Sequence, residues 1–215
     1  AWIDIGDDLN WTENGKQFTW VSERDGWRHA FLASRSGSGI LLATPGDYDV
    51  IDIQYIDEKG GWLYFIASPM NPTQRYLYRA RMNGKGKSER LSPLDKPGTH
   101  SYTIAPNGMW AFHTFSSFGE PTFTDLVRLP SHKIVRTLSA NTQLSETVHA
   151  LKRLPAEFFR VDIGDGVLMD GWMIKPPDFD PSKRYPVLFH VYGEPAGQTV
   201  LDRWGGSGYL WHLMM

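Results

Sequence analysis

Three glycine-containing turns recur at a nearly constant interval in the first part of the sequence. Asn14-Gly15, Gly60-Gly61 and Asn107-Gly108 each precede a run that is rich in aromatic and β-branched residues. A turn of this kind before such a run predicts a β-hairpin. The turns lie roughly 45 to 48 residues apart, which is the length of one four-stranded blade of a β-propeller.

Each interval contains two further strand-like runs after the one that follows the turn. They are 29–33 and 39–42 in the first interval, 75–80 and 88–91 in the second, and 125–129 and 133–138 in the third. We therefore predict a mainly β chain in which residues 1–150 form about three blades at the C-terminal end of a propeller. An immunoglobulin-like sandwich also alternates strands and turns, but it does not predict this self-similarity. Three blades are too few to close a ring.

The pattern changes beyond residue 150. Two strand-like runs, 158–163 and 167–174, flank the turn Gly164-Asp165-Gly166 and predict another hairpin. A polar connection follows, and then the nearly continuous apolar run 186–191. Such a run is typical of a strand that is buried on both faces of an α/β sheet. We predict that residues 151–215 form the first strands of an α/β-hydrolase domain.

Composition excludes several functional classes. A net charge of −2 and a pI near 6.4 do not provide the basic face that a nucleic-acid-binding protein needs. The sequence has no apolar run of the length that crosses a membrane, and it has no cysteine for disulfides or thiolate chemistry. Its seven histidines form no HExxH motif. We therefore expect no nucleic-acid partner, no membrane span and no metal.

Both termini indicate an internal piece of a longer protein. The sequence starts at Ala1 without a signal peptide, and residues 208–215 are apolar and helix-like up to the last residue. An apolar helix at a chain terminus would leave an exposed surface with nothing to pack on. We expect further chain on both sides.

Two motifs and their order resemble the prolyl oligopeptidase family of serine peptidases, and most closely its dipeptidyl peptidase IV branch. VSERDGWRHAFL (Val21–Leu32) is similar to the blade motif Ser-Glu-x-x-Gly-aromatic-x-His of that branch. DGWMIKPPDFDPSKRYPVLFHVYGEP (Asp170–Pro195) is similar to the start of the catalytic domain of the family. Propeller blades that lead directly into this segment complete the resemblance.

The resemblance implies one active-site residue, Tyr192. In the family, the Tyr of a Tyr-Gly-Gly-Pro turn helps to form the oxyanion hole, and a phenol at a strand end can donate a hydrogen bond to the developing oxyanion. Glu194 replaces the second Gly of that turn, which can strain or reshape it if the Gly needs a positive φ.

The nucleophile is missing from the sequence. No Gly-x-Ser-x-Gly motif occurs, and we interpret Gly37-Ser38-Gly39 and Gly206-Ser207-Gly208 as flexible turns. The resemblance implies that the catalytic Ser, Asp and His lie beyond Met215, and that the residues that bind the substrate amino group lie before Ala1. We therefore expect these 215 residues to be inactive by themselves.

The resemblance implies a periplasmic or secreted exopeptidase that releases N-terminal dipeptides with Pro or Ala in second position. It implies no cofactor, and the full-length protein can be a homodimer, as its relatives often are. Two alternatives stay open: an acylaminoacyl peptidase or oligopeptidase of the same superfamily, and a non-catalytic binding module that uses the propeller face.

Several histidines and acids have structural interpretations. We predict that His190 is a core histidine on the buried strand, and that His29 bonds to backbone or to Glu23 and so fixes its loop. Glu23 and Asp25 fit a solvated turn better than a cation site, because no third ligand lies at a usable spacing.

The tryptophans divide into two groups. Trp20, Trp62 and Trp110 recur at the blade period, so we predict that they form core between blades. Trp204, Trp211 and Tyr209 are consistent with packing beneath the oxyanion turn and with lining a substrate tunnel, and the sequence does not separate these two roles.

Overall fold

A computed structural model describes residues 9–193 and 197–215. The first twelve strands form three four-stranded antiparallel sheets, each with its strands in sequence order. The first sheet comprises β1 (Asn10–Thr12), β2 (Gln17–Ser22), β3 (His29–Ser34) and β4 (Ile40–Leu42); the second β5 (Val50–Asp57), β6 (Trp62–Ala67), β7 (Tyr76–Arg81) and β8 (Glu89–Arg90); the third β9 (Thr99–Ile104), β10 (Trp110–Ser117), β11 (Glu120–Arg128) and β12 (Lys133–Ser139). The predicted three blades are thus confirmed.

Two helices and a separate hairpin follow the third blade. Helix α1 spans Thr142–His149, strands β13 (Glu157–Asp162) and β14 (Leu168–Met173) pair as a two-stranded sheet, and helix α2 spans Gly206–Met214. The hairpin and the helix-like C-terminal stretch agree with the prediction. Helix α1 was not predicted from the sequence.

Each predicted turn joins the first and second strands of a blade. Thr12 pairs with Gln17 across the first turn, and Asp57 pairs with Trp62 across the second. At the third turn, Gly108 has a φ of +66°, and a Cβ there would lie 2.6 Å from the Tyr55 ring. Glycine is therefore needed both for the backbone angle and for space. The first strand of each blade, which precedes the turn, was not among the predicted strands.

The middle blade is buried on both faces. Strand β6 is buried from Leu63 to Ala67, and its side chains alternate between two clusters. Leu63 and Phe65 pack with residues of the first blade, including Leu32, whereas Tyr64 packs toward the third blade. Contacts between successive blades therefore supply the core.

Only one of the three tryptophans at the blade period packs against the core of the described chain. Trp20, Trp62 and Trp110 are half-buried, and of the three only Trp62 packs against a core cluster of the described chain. The prediction of inter-blade core is wrong for Trp20 and Trp110. Their rings contact guanidinium groups instead, as does Trp62, whose ring centroid lies 4.0 Å and 3.8 Å from the Arg79 and Arg81 guanidinium carbons.

Candidate functional site

The apolar run before Tyr192 does not form the predicted strand. Residues 186–191 have no regular secondary structure, and Val187, Phe189 and Val191 are 71%, 81% and 81% exposed. The prediction of a buried strand is wrong for this structure. A strand needs a neighbour to accept and donate its backbone hydrogen bonds, and no strand of the described chain pairs with this run.

Tyr192 lies at the end of this run with its side chain accessible. It is 58% exposed, and within the described residues its hydroxyl has no hydrogen-bond partner. The phenol is therefore free to donate a hydrogen bond to another group. Glu194, the expected departure from the family turn, lies outside the described residues. The role of Tyr192 stays a prediction at this point.

His190 is not a core histidine. It is exposed, and its ring centroid lies 5.8 Å from that of His212 on α2. The prediction depended on strand alternation between a buried and an exposed face. Because residues 186–191 form no strand, that alternation does not apply.

Helix α2 packs on the turn between β10 and β11. Tyr209 is 3% exposed, and its ring centroid lies 5.2 Å from that of Phe118 and 5.3 Å from that of Trp204. The Arg153 guanidinium donates a 2.9 Å hydrogen bond to the Tyr209 hydroxyl. Tyr209 and Trp204 therefore anchor α2 to the third blade, whereas Trp211 is half-exposed.

Phe118 also joins the hairpin to the third blade. Its ring centroid lies 5.6 Å from that of Phe158 on β13 and 5.0 Å from that of Trp172 on β14. Sequence reading did not single out Phe118, because it lies in a tight turn and fits no strand pattern. The tip of the third blade is thus the contact point for both elements that follow the propeller blades.

His29 fixes its loop through a different acid from the one expected. Its Nδ1 lies 2.9 Å from Asp25 Oδ2, and its Nε2 lies 2.9 Å from the Gly46 carbonyl oxygen. The backbone partner was anticipated, but the acidic partner is Asp25 and not Glu23. Although burial raises the pKa of the Asp25 carboxyl, the hydrogen bond and the charge of His29 outweigh burial and lower that pKa overall.

We expect Asp25→Ala to lower the free energy of unfolding by about 1 to 3 kcal/mol, because Nδ1 of the buried His29 would lose its partner. Urea denaturation of the chain measures this difference. Glu23→Ala, at an exposed position in the same loop, is the matched control and should change stability by less than about 0.5 kcal/mol. Equal losses for the two variants would contradict the assignment.

The third blade contains a buried histidine cluster that sequence reading missed. His113 Nε2 lies 2.9 Å from His100 Nδ1, and His100 Nε2 lies 2.9 Å from the Lys96 carbonyl oxygen. His132 Nε2 lies 2.8 Å from the Tyr102 hydroxyl. We found no close His pair in the sequence, because these residues become neighbours only when the strands pair.

Burial keeps this cluster uncharged. Burial, together with the smaller effect of the charges on Lys96 and His132, lowers the pKa of His100 to about 4 and that of His113 to about 3. His113 Nδ1 and Asp125 Oδ1 have no hydrogen-bond partner in the described chain. No set of three or more metal-ligating side chains converges within residues 9–193 and 197–215. The buried His100 and His113 are therefore part of the blade core.

Three surface side chains are arranged like a Ser-His-acid catalytic triad. Ser145 Oγ lies 3.3 Å from His149 Nδ1, and His149 Nε2 lies 2.6 Å from Glu120 Oε1. The His149 and Glu120 side chains are about half exposed, so water competes for their hydrogen bonds. The serine hydroxyl is therefore not in the dry environment that a nucleophile needs. The arrangement ties α1 to β11 and does not activate a nucleophile.

The two Gly-Ser-Gly segments also carry no nucleophile elbow. Gly37-Ser38-Gly39 lies in the turn between β3 and β4, as expected. Gly206-Ser207-Gly208 opens α2 and is not the flexible turn that we predicted. No helix in the described part of the chain is long and apolar enough to span a bilayer.

A family model and the curated relatives that match this chain all carry dipeptidyl peptidase names. The family model "Dipeptidyl peptidase IV (DPP IV) N-terminal region" matches residues 1–122. The Emericella nidulans protein named "Probable dipeptidyl-aminopeptidase B" is 31% identical over 82% of this chain and 20% of its own length. Trichophyton equinum "Dipeptidyl peptidase 4" is 28% identical over 97% of this chain and 27% of its own length.

A solved structure of a dipeptidyl peptidase also matches this chain. The crystal structure of Porphyromonas gingivalis dipeptidyl peptidase 4 superposes with a TM-score of 0.83 and 32% identity, over 94% of this chain and 28% of that chain. The present chain thus spans 20% to 28% of the length of the relatives named here.

Proposed function

Since the chain belongs to the dipeptidyl peptidase IV family, we propose that it joins the propeller to the catalytic domain of a longer serine exopeptidase. The whole protein removes N-terminal dipeptides with Pro or Ala in second position. The observation that carries this proposal is the match of residues 1–122 to the N-terminal region of that family, together with three blades that lead into the hairpin β13–β14. Residues 151–215 are then the N-terminal part of the catalytic domain.

Tyr192 is the one active-site residue that this chain contributes. In acyl transfer, a serine attacks the scissile carbonyl and negative charge develops on its oxygen. A phenol that donates a hydrogen bond to this oxygen stabilises the transition state more than the bound substrate. The accessible, unpartnered hydroxyl of Tyr192 in the described chain supports this role.

The serine, aspartate and histidine of the mechanism come from outside this chain. The sequence contains no Gly-x-Ser-x-Gly motif, and the Ser145–His149 pair lies on a solvent-facing helix. The 215 residues by themselves are therefore inactive in this account. By the same family resemblance, the whole protein is periplasmic or secreted and forms homodimers.

Chromogenic dipeptide substrates test the proposal. The full-length protein should release p-nitroaniline from Gly-Pro-p-nitroanilide and Ala-Ala-p-nitroanilide, and N-acetylation of either substrate should abolish turnover. The isolated 215-residue chain should be inactive on all of them.

Each alternative gives a different result. Turnover of acetyl-Ala-p-nitroanilide in preference to the free dipeptides would favour an acylaminoacyl peptidase. No turnover by the full-length protein would favour a non-catalytic binding module. Turnover by the isolated chain would contradict the proposed location of the nucleophile.

A further inference from the structure

Asp202 lies ten residues beyond Tyr192 in a segment without regular secondary structure, and every polar group of Asp202 is engaged by the propeller blades. Its backbone N–H donates to the Thr73 carbonyl oxygen at 2.7 Å, and its carbonyl oxygen accepts from Thr99 Oγ1 at 2.8 Å. Its carboxylate accepts from Gln74 Nε2 and from the Phe118 backbone N–H, each at 2.9 Å. One side chain therefore joins the second blade to the third.

Residues on either side of Asp202 reinforce this attachment. Gln198 Nε2 donates to the Pro72 carbonyl oxygen at 2.9 Å, and the Arg75 guanidinium donates to Gln198 Oε1. The Trp204 backbone N–H donates to Ser116 Oγ at 3.1 Å. Residues 198–204 thus bond both to the loop before β7 and to the end of β10.

These hydrogen bonds join residues that are far apart in the sequence. The partners of Asp202 lie 84 to 129 residues earlier in the chain. A carboxylate that accepts two hydrogen bonds with fixed geometry is difficult to replace, because a hydrogen bond to a charged group contributes more than a neutral one. The segment has no strand or helix of its own, so these contacts determine its position.

We propose that Asp202 is a positioning residue of the peptidase, because it fixes the chain ten residues beyond Tyr192 to the tips of two propeller blades. This proposal rests on the proposed function of Tyr192. Gln198 is only six residues from Tyr192, so an extended chain places their Cα atoms at most about 22 Å apart. Attachment at Gln198 and Asp202 therefore keeps the Tyr192 backbone within that distance of a fixed point on the propeller blades. A misplaced phenol loses its hydrogen bond to the oxyanion but leaves substrate binding unchanged.

A double-mutant cycle in the full-length protein tests this inference. We expect Asp202→Ala to lower kcat on Gly-Pro-p-nitroanilide on the order of tenfold, with KM changed less than about twofold. In a Tyr192→Phe background, Asp202→Ala should cause no further loss, because its effect acts through the phenol. Asp202→Asn keeps an acceptor oxygen for the Phe118 N–H but loses the charge and the acceptor for Gln74, so it should recover kcat only in part. Asp178→Ala, at an exposed acid in the same part of the chain, is the matched control.

Hydrogen exchange gives a second readout that does not depend on activity. In Asp202→Ala, the Phe118 amide should exchange at least about tenfold faster, because it loses its acceptor. Unchanged exchange would overturn the attachment itself. If the fold losses in kcat of Asp202→Ala and Tyr192→Phe multiply in the double variant, Asp202 does not act through the phenol and the positioning role is overturned. A full-length protein without peptidase activity would contradict the proposed function instead, and the exchange rates would then decide the attachment alone.

Discussion

Lowering the pH from 7.5 to 5 should reduce the free energy of unfolding of this chain by about 4 kcal/mol, with the buried histidines of the third blade as the cause. The folded-state pKa is about 4 for His100 and about 3 for His113. Unfolded histidine titrates near 6.5. Each of the two residues therefore contributes about 2 kcal/mol to the loss at pH 5.

The sign of this pH dependence follows from where the folded and unfolded chains bind protons. Below pH 6.5 the unfolded chain binds a proton at each imidazole, whereas the folded cluster stays neutral until the pH approaches 4. Acid therefore favours the unfolded chain, and the stability that is present above pH 6.5 is lost as the pH falls toward the folded pKa values. The charged groups that act on the cluster are Lys96 and Arg90, which oppose protonation, and Asp125, which favours protonation of His132.

Urea denaturation at pH 7.5, 6 and 5, followed by tryptophan fluorescence, measures this loss. His113→Gln keeps a polar group beside His100 but cannot titrate in this range, so it should remove about half of the pH dependence. Phe112→Gln, at an exposed position on the same strand, should leave the pH dependence intact. The account is wrong if wild type is equally stable at pH 7.5 and 5, or if His113→Gln keeps the full slope.

The blades could be predicted because their signals are local. A glycine-containing turn such as Asn107-Gly108 and the aromatic run after it lie within about ten residues, and a hairpin forms between neighbouring segments. The repetition of that signal at a fixed interval indicated the propeller. The first strands of the blades were missed because Asn10–Thr12 is only three residues long and Val50–Asp57 is mixed in polarity.

The histidine cluster and the attachment of Asp202 could not be predicted, because their partners are distant in sequence. His100 and His113 are 13 residues apart and meet only when β9 pairs with β10. Asp202 meets Phe118 across 84 residues. The prediction of a buried strand at 186–191 was wrong for another reason. An apolar run indicates that a strand can be buried, but it does not provide the neighbouring strands that would bury it.

The second large effect concerns Tyr192. In the full-length protein, Tyr192→Phe should lower kcat on Gly-Pro-p-nitroanilide on the order of a hundredfold or more, because it removes one donor to the oxyanion. KM should change little, since the hydrogen bond forms in the transition state and not with the bound substrate. Phenylalanine keeps the aromatic ring, so the change isolates the hydroxyl.

Tyr185→Phe is the matched control, because it removes a phenol oxygen from the same segment. That hydroxyl accepts a 2.9 Å hydrogen bond from the Asp180 backbone N–H, so it has a local structural role. We expect its kcat to stay within about threefold of wild type, since the loss of one local hydrogen bond does not affect the oxyanion.

The kcat of Tyr192→Phe, measured beside wild type and Tyr185→Phe, tests the central claim most directly. A fall of about a hundredfold or more with KM unchanged is the predicted result. A kcat equal to that of wild type would contradict the assignment of Tyr192 to the oxyanion hole.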